Sequence, residues 1–366
     1  MQFTRRELLA SVPLTGSALA MPQGARKRNP SDVFRVGVMN VGTYSHLTEF
    51  WAPPMNPRNN GRDMLLTGMR ITHCWDISPD RSAAFAKTYG CEAVREFDGM
   101  AGKVDGVISG GYYCHPWNHI LHKPYLEAGL PNLVNRPFTN SLKKASEMLH
   151  CAAEHKASLL VPSAYEFNDA IARAKAWAKT KKVSGYSAAN SQDDYPTHGT
   201  HGVYLVCRAI AEAGFPVVSV SSRAKNWYTP PAALTFEHTD NQGRSFFGSL
   251  HQLPHSAGSI EIHAPDEYGG KKFLIEMGSD PPFNRTEFWV PLIWVYQTMA
   301  LHGQMPQTYE QIWHKTQVFM AGWRSMLAGD GKPVRLNEVP EDWEAPAELP
   351  THPNDDDYQL FKKKFG

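Results

Sequence analysis

Three stretches carry side chains able to do chemistry. In Gln192-Asp193-Asp194-Tyr195-Pro196-Thr197-His198-Gly199-Thr200-His201, two histidines stand three apart at the start of a predicted helix, Gly202–Ala213. That spacing puts His198 and His201 on one helix face. Imidazoles titrate near working pH and serve as general acid or base, and Tyr195, Tyr112 or Tyr113 can supply a second proton-transfer group. The second stretch, Leu133-Val134-Asn135-Arg136-Pro137-Phe138, carries Arg136, whose permanent charge can grip a carboxylate with two hydrogen bonds but cannot act as a base. The third sets His115, His119 and His122 at i, i+4, i+7 after a predicted strand, which aligns them along one helix face. With no acidic or thiolate companion nearby they make a poor metal set, so no metal site is predicted, and one or two of them are expected in a site at the strand's C-terminal end.

These residues need a frame, and Val33–His46, VFRVGVMNVGTYSH, supplies its first part. A short apolar strand runs into a tight turn and a helix. That is the grammar of a dinucleotide-binding loop, Gly-x-Gly-x-x-Gly. Asn40, Gly42 and Ser45 fill the three glycine positions. Asn40 tolerates a positive φ, Gly42 keeps the point of closest backbone approach, and Ser45 is small. Asp76 ends the second predicted strand, Met69–Trp75, where such folds place an acid for the ribose; it can equally cap the helix that follows.

Strands at Val104–Ser109, Asn132–Val134 and Ser158–Pro162 alternate with helices at Asp80–Tyr89 and Ser141–His155, which predicts a doubly wound parallel sheet. From Asp169 the pattern changes. After a helix, Ala170–Lys179, and a strand, Val183–Asn190, strands follow one another at Val217–Ala224, Ala233–His238, Ser245–Gln252, Gly258–His263 and Lys272–Met277. That succession predicts an open, mostly antiparallel sheet, with Phe288–Leu301 and Tyr309–Leu327 as closing helices. The fold class is α/β: a Rossmann-like domain over 33–165, an α+β domain over 166–336 for substrate and self-association, and a Pro-rich, acidic tail over 337–366.

Residues 1–20 read as an export signal, with Thr4-Arg5-Arg6-Glu7-Leu8-Leu9 as a twin-arginine motif, an apolar run, and Ala18-Leu19-Ala20 as a cleavage site; 21–32 read as a linker. A periplasmic or secreted location is expected. With 366 residues, a net charge of +1 and no long apolar run, neither nucleic acid nor membrane is an expected partner. Aromatic content of 11% suits a sugar site with stacking platforms. Five scattered cysteines without a C-x-x-C pair do not make a disulfide framework.

In the order of its motifs the chain resembles the Gfo/Idh/MocA family of glucose–fructose oxidoreductase and inositol dehydrogenase, over roughly Val33 to Leu336. Asn40–His46 stands at the family's glycine fingerprint, Asn135-Arg136-Pro137 at its Glu-Lys-Pro, and Thr197–His201 at its Asp-x-x-x-His. The resemblance implies NAD or NADP held by Asn40, Gly42, Ser45, Asp76 and Arg136, a sugar or polyol substrate, a homo-oligomer, and roles for His201, Arg136, His119, Tyr195 and His198. Asp76 and His119 match the family's ribose acid and its histidine after the third strand. Arg136 replaces the family's lysine, Asn135 its glutamate and Thr197 its aspartate. Four functions are open at this point: an NAD(P)-dependent oxidoreductase with His201 as base; a cofactor-independent lyase that uses Arg136 to neutralise a uronate; an NAD-assisted glycosidase; and a non-catalytic glycan-binding protein.

Overall fold

The computed structural model describes residues 33–42, 45–191, 194–229, 232–254, 258–265, 270–277, 289–348 and 355–366. The expected export signal and linker, residues 1–32, lie outside the described residues.

The first sheet has six parallel strands: β1 (Phe34–Met39), β2 (Met69–Trp75), β3 (Glu92–Ala93), β4 (Gly106–Ser109), β5 (Asn132–Val134) and β6 (Leu159–Leu160). Their spatial order is β3-β2-β1-β4-β5-β6. The central strands β1, β4 and β5 are almost wholly buried, as parallel strands covered on both faces must be. The order reverses between β1 and β4, and a crevice opens beyond the C-terminal ends of such strands. The expected doubly wound sheet is therefore present.

The second sheet runs β12-β11-β7-β10-β9-β8-β13, from β7 (Gly185–Ser191), β8 (Val217–Ala224), β9 (Ala232–Thr239), β10 (Ser245–Leu253), β11 (Gly258–Ala264), β12 (Lys271–Met277) and β13 (Val334–Arg335). Only β7 and β10 pair in parallel. Period-two alternation decides its faces: Ala232, Leu234, Phe236 and His238 of β9 turn inward, while Phe247 on β10 and Leu274 on β12 stand exposed on the outer face.

Helices lock the two sheets together. Helix Leu142–Glu154 buries Leu142, Ala145, Met148, Leu149 and Ala152, the stripe expected from its period. Helix Tyr309–Ala328 starts at a capping box formed by Thr308 and Gln311. It lies between β8 and that first helix, and buries Phe319 and Trp323. One continuous apolar core thus joins Val134 and Phe138, at the end of β5, to Tyr204 of helix Thr200–Ala209 and to Phe319. This shared core fixes Arg136 against the second domain.

Of residues 337–366, read from composition as a tail, the described parts, 337–348 and 355–366, pack on the first domain. The Ala345 N–H donates to the Asn140 carbonyl at 2.8 Å, and the Lys143 N–H to that of Glu341 at 2.8 Å. The final helix, Asp355–Phe365, buries Phe361 against Trp75 and Trp117. Among the described residues no helix is long and apolar enough to cross a membrane.

Candidate functional site

Arg136 lies two residues beyond the end of β5 and is 2% exposed. Asn135 builds its surroundings. Its Nδ2 donates to the Gly110 carbonyl at 2.7 Å, while its Oδ1 faces His46 Nδ1 at 3.1 Å. The hydrogen bonds assign the tautomer: His46 Nδ1–H donates to Asn135, which leaves Nε2 to accept from Arg136 Nη2 at 3.3 Å. Burial first, then the Arg136 charge, holds the His46 pKa well below its ordinary value. The His46 ring is packed by Tyr112 at 4.9 Å and Trp289 at 4.3 Å, and the guanidinium lies 4.4 Å from the Tyr112 ring centre. Arg136 Nε and Nη1 are buried and make no hydrogen bond among the described residues. No carboxylate forms an ion pair with this arginine among the described residues.

Across from it stands His201, in the first turn of helix Thr200–Ala209 and 7% exposed. Its Nδ1 is 2.6 Å from Ser163 Oγ, and its ring lies 5.0 Å from Tyr165. Ser163 is held in turn: its N–H donates to Glu166 at 2.7 Å, and its Oγ accepts from the Tyr165 N–H at 3.2 Å. Burial, followed by the Arg136 charge, holds His201 well below the usual imidazole pKa. It is therefore neutral at working pH, and in the tautomer that donates Nδ1–H to Ser163 the Nε2 lone pair is left to accept a proton. Arg136, Tyr112, His198 and His201 follow one another, with 6.3 Å between the Tyr112 and His198 rings and 6.2 Å between His198 and His201.

The carboxylate missing at Thr197 is supplied one turn earlier. Asp194 accepts the Thr197 N–H at 2.6 Å, accepts the Thr197 hydroxyl, and lies 3.5 Å from His198 Nδ1. Burial pushes this acid up, but the bonds from His198 and Thr197 outweigh it and keep Asp194 below the usual carboxylate pKa.

On the other side of the crevice lies the glycine-loop region. Asn40 has φ 59°, the left-handed conformation that the first turn residue needs. Gly42 is buried beneath the Arg81 side chain: a Cβ there would lie 3.2 Å from Nη1. Ser45 bridges to Gly111. Thr43 and Tyr44 lie outside the described residues. The helix after the loop is a single wide turn, Leu47–Trp51, so its N-terminal dipole is small, and the cation beside the loop is Arg81. Asp76 Oδ1 accepts from Arg81 Nε at 2.8 Å and from the Ser78 N–H at 2.9 Å, so it also organises the start of helix Pro79–Tyr89. Arg81 pairs a second time, with Asp357 of the C-terminal helix. Among the described residues Arg81 Nη2, Asn40 Oδ1 and Ser109 Oγ are buried without hydrogen bonds, and these polar atoms along the ends of β1, β2 and β4 fit a phosphate- and hydroxyl-bearing ligand.

Two predicted residues fall outside this arrangement. The helix expected to align three histidines is broken into His115–Trp117, Asn118–Leu121 and Lys123–Glu127. His119 consequently lines an outer groove with Lys123, Ser146 and Glu341, and is not beside His201. His115 turns to the Tyr112 carbonyl and His122 to Asn132. Tyr195 is fully buried, stacked on Phe319, and donates its hydroxyl to the Phe319 carbonyl at 2.9 Å, so it is a core residue rather than a proton donor. Conversely, Ser163, Tyr165, Glu166 and the ring of His46 take part without having been singled out. No group of three or more metal-ligating side chains occurs among the described residues.

Residues 34–163 match the family model for the Gfo/Idh/MocA proteins, described as an oxidoreductase family with an NAD-binding Rossmann fold. The fold is similar to that of scyllo-inositol dehydrogenase from Lactobacillus casei, solved with NAD(H) and scyllo-inositol: TM-score 0.64 at 13% identity, over 84% of this chain and 100% of that one. The same organism's myo-inositol dehydrogenase, solved with NAD(H) and myo-inositol, matches with TM-score 0.64 at 13% identity over 83% and 97%. The myo-inositol 2-dehydrogenase of Lactobacillus plantarum matches with TM-score 0.64 at 11% identity over 83% and 99%. No curated protein matches the sequence significantly. Residues 34–163 thus match the NAD-binding domain of the Gfo/Idh/MocA oxidoreductase family, and the chain as a whole shares its fold with these inositol dehydrogenases.

Proposed function

We propose that this protein is an NAD(P)-dependent oxidoreductase acting on a hydroxyl-bearing carbon of a carbohydrate or polyol. The observation that carries the proposal is His201. It is a neutral imidazole, oriented through Nδ1 by Ser163 at 2.6 Å, within electrostatic reach of Arg136 at the C-terminal edge of the Rossmann sheet. Its Nε2 makes no hydrogen bond among the described residues. In this assignment Nε2 takes the hydroxyl proton of the substrate, and Ser163 holds the ring in the tautomer that allows it. Arg136 and the Tyr112 face orient the substrate. Asn40, Gly42, Ser45 and Asp76, with Arg81 above the loop, would hold the dinucleotide. When bound, a nicotinamide dinucleotide supplies the hydride acceptor. The family match and the inositol dehydrogenases of the same fold, which their structures hold with NAD(H), support this choice over a lyase.

The test is nicotinamide absorbance with NAD or NADP against a panel of polyols, aldoses and sugar acids. The expected result is turnover with at least one of them, and loss of turnover but not of nucleotide binding in His201→Gln. A folded protein that binds neither nucleotide contradicts the proposal. The twin-arginine motif at Thr4–Leu9 supports export to the periplasm, which sequencing the N-terminus of the mature protein would check. Self-association would use the outer face of the second sheet, where Phe247 and Leu274 are exposed; sedimentation velocity reads it.

A further inference from the structure

The charges around Arg136 do not balance among the described residues. An arginine stays protonated at any working pH, and a buried, unpaired cation is costly unless something anionic meets it. Here the guanidinium is 2% exposed. Its partners are a neutral imidazole nitrogen, His46 Nε2 at 3.3 Å, and the face of Tyr112. Nε and Nη1 have none. The nearest acid, Asp194, is committed to Thr197 and His198. Nor do the dinucleotide's phosphates belong here. In this fold the pyrophosphate lies at the first strand–helix turn, which is Gly42, and Gly42 faces Arg81.

We infer that Arg136 is the anchor for a carboxylate on the substrate, and that the substrate is therefore a sugar acid or polyol acid. The inference rests on the proposed use of this cleft for substrate. A guanidinium takes a carboxylate through parallel N–H donors, and in this low-dielectric setting such a pair is stronger than a bond to a neutral hydroxyl. His46, itself held by Asn135, takes one Nη2 hydrogen of the fork, which fixes the guanidinium and leaves Nε and Nη1 for a ligand. His198 and His201 follow on through Tyr112, so a substrate fixed by its carboxylate would present a hydroxyl further along its chain to His201.

Isothermal titration of the full-length protein with D-glucuronate, D-gluconate and acetate, against D-glucose and D-glucitol, tests the inference. At least one acid should bind, and its neutral counterpart should bind roughly 10- to 100-fold more weakly, the size of one buried charge-assisted hydrogen bond. Arg136→Met should abolish that preference while circular dichroism and thermal unfolding report an intact fold. Arg136→Lys should retain part of it. Equal binding of acids and neutral sugars, no acid binding, or an acid preference that survives in Arg136→Met would each overturn the inference. A separate titration with NAD alone distinguishes the two proposals. Nucleotide binding lost in Arg136→Met, with no acid preference in the parent, would assign the cation to the cofactor and overturn the inference. Acid preference without nucleotide binding would leave it standing and remove the oxidoreductase.

Discussion

Two buried cations, Lys315 and Arg136, are treated oppositely by the chain. Lys315, on helix Tyr309–Ala328, is fully satisfied: its Nζ donates to the Val161 carbonyl at 2.6 Å, Gln307 Oε1 at 2.7 Å and Glu166 Oε1 at 2.9 Å. Arg136, equally buried, has one imidazole nitrogen and an aromatic face. The first cation ties helix, turn and β6 into one body. The second keeps two buried nitrogens, Nε and Nη1, without a hydrogen bond among the described residues. Burial alone therefore does not separate a structural charge from a functional one; the count of its partners does.

The largest contrast should come from removing each charge. Lys315→Met strands Glu166 in the core and should cost about 3–5 kcal/mol in urea unfolding, whereas Lys315→Met/Glu166→Gln should recover much of that loss. Arg136→Met should leave the ligand-free protein as stable as before, or more so, since it removes an unpaired charge. A large loss there would mean that Arg136 is structural. Next, His201→Gln should lower turnover about 10²- to 10⁴-fold, the range of a general base, at unchanged nucleotide affinity. Ser163→Ala should act through orientation alone, lowering kcat roughly tenfold with little change in KM. A rise in KM at unchanged kcat would point instead to a role in binding.

Acid should separate the regions further. His115 and His122 are pushed down to about 4 by burial, and burial also lowers His46 and His201. Each binds its proton less readily folded than unfolded, so the unfolded chain takes up protons first and stability falls as pH drops from about 6.5 toward 4. Urea midpoints across that range should decline steadily, and a carboxylate bound at Arg136 should soften the decline by offsetting the charge that holds His46 and His201 down. The smallest effect concerns the nucleotide side. Asp357→Asn removes one of the two carboxylates on Arg81, and should strengthen NAD binding a few-fold (about 0.5–1 kcal/mol) if Arg81 is thereby freed for phosphate.

Much of the frame was legible before the structure. Alternating apolar strands and helices announced the parallel sheet, and consecutive strands after residue 183 announced the second. Arg136 and His201 were legible because each sits in a short stretch with a family pattern around it. What was not legible depends on topology. Ser163 follows β6 and meets His201 across 38 positions of chain, and His46 reaches Asn135 across 89. No local spacing encodes such pairs. The misplacements have local causes. Pro116 and Pro124 stand at the starts of short helical turns, so the i, i+4, i+7 rule for His115, His119 and His122 had no continuous helix to act on. Tyr195 looked like a site residue among polar neighbours, but the wide turn at Tyr195–Gly199 swings it onto Phe319.

The most direct measurement is isothermal titration of the folded, full-length protein with NAD and with NADP, alongside mass spectrometry of any ligand released on denaturation. An NAD(P)-dependent oxidoreductase predicts a dinucleotide that copurifies or binds one to one, and binding that weakens in Asp76→Ala. A folded protein that neither carries nor binds either dinucleotide would contradict it, and would leave the cleft around Arg136 and His201 to chemistry without a nicotinamide.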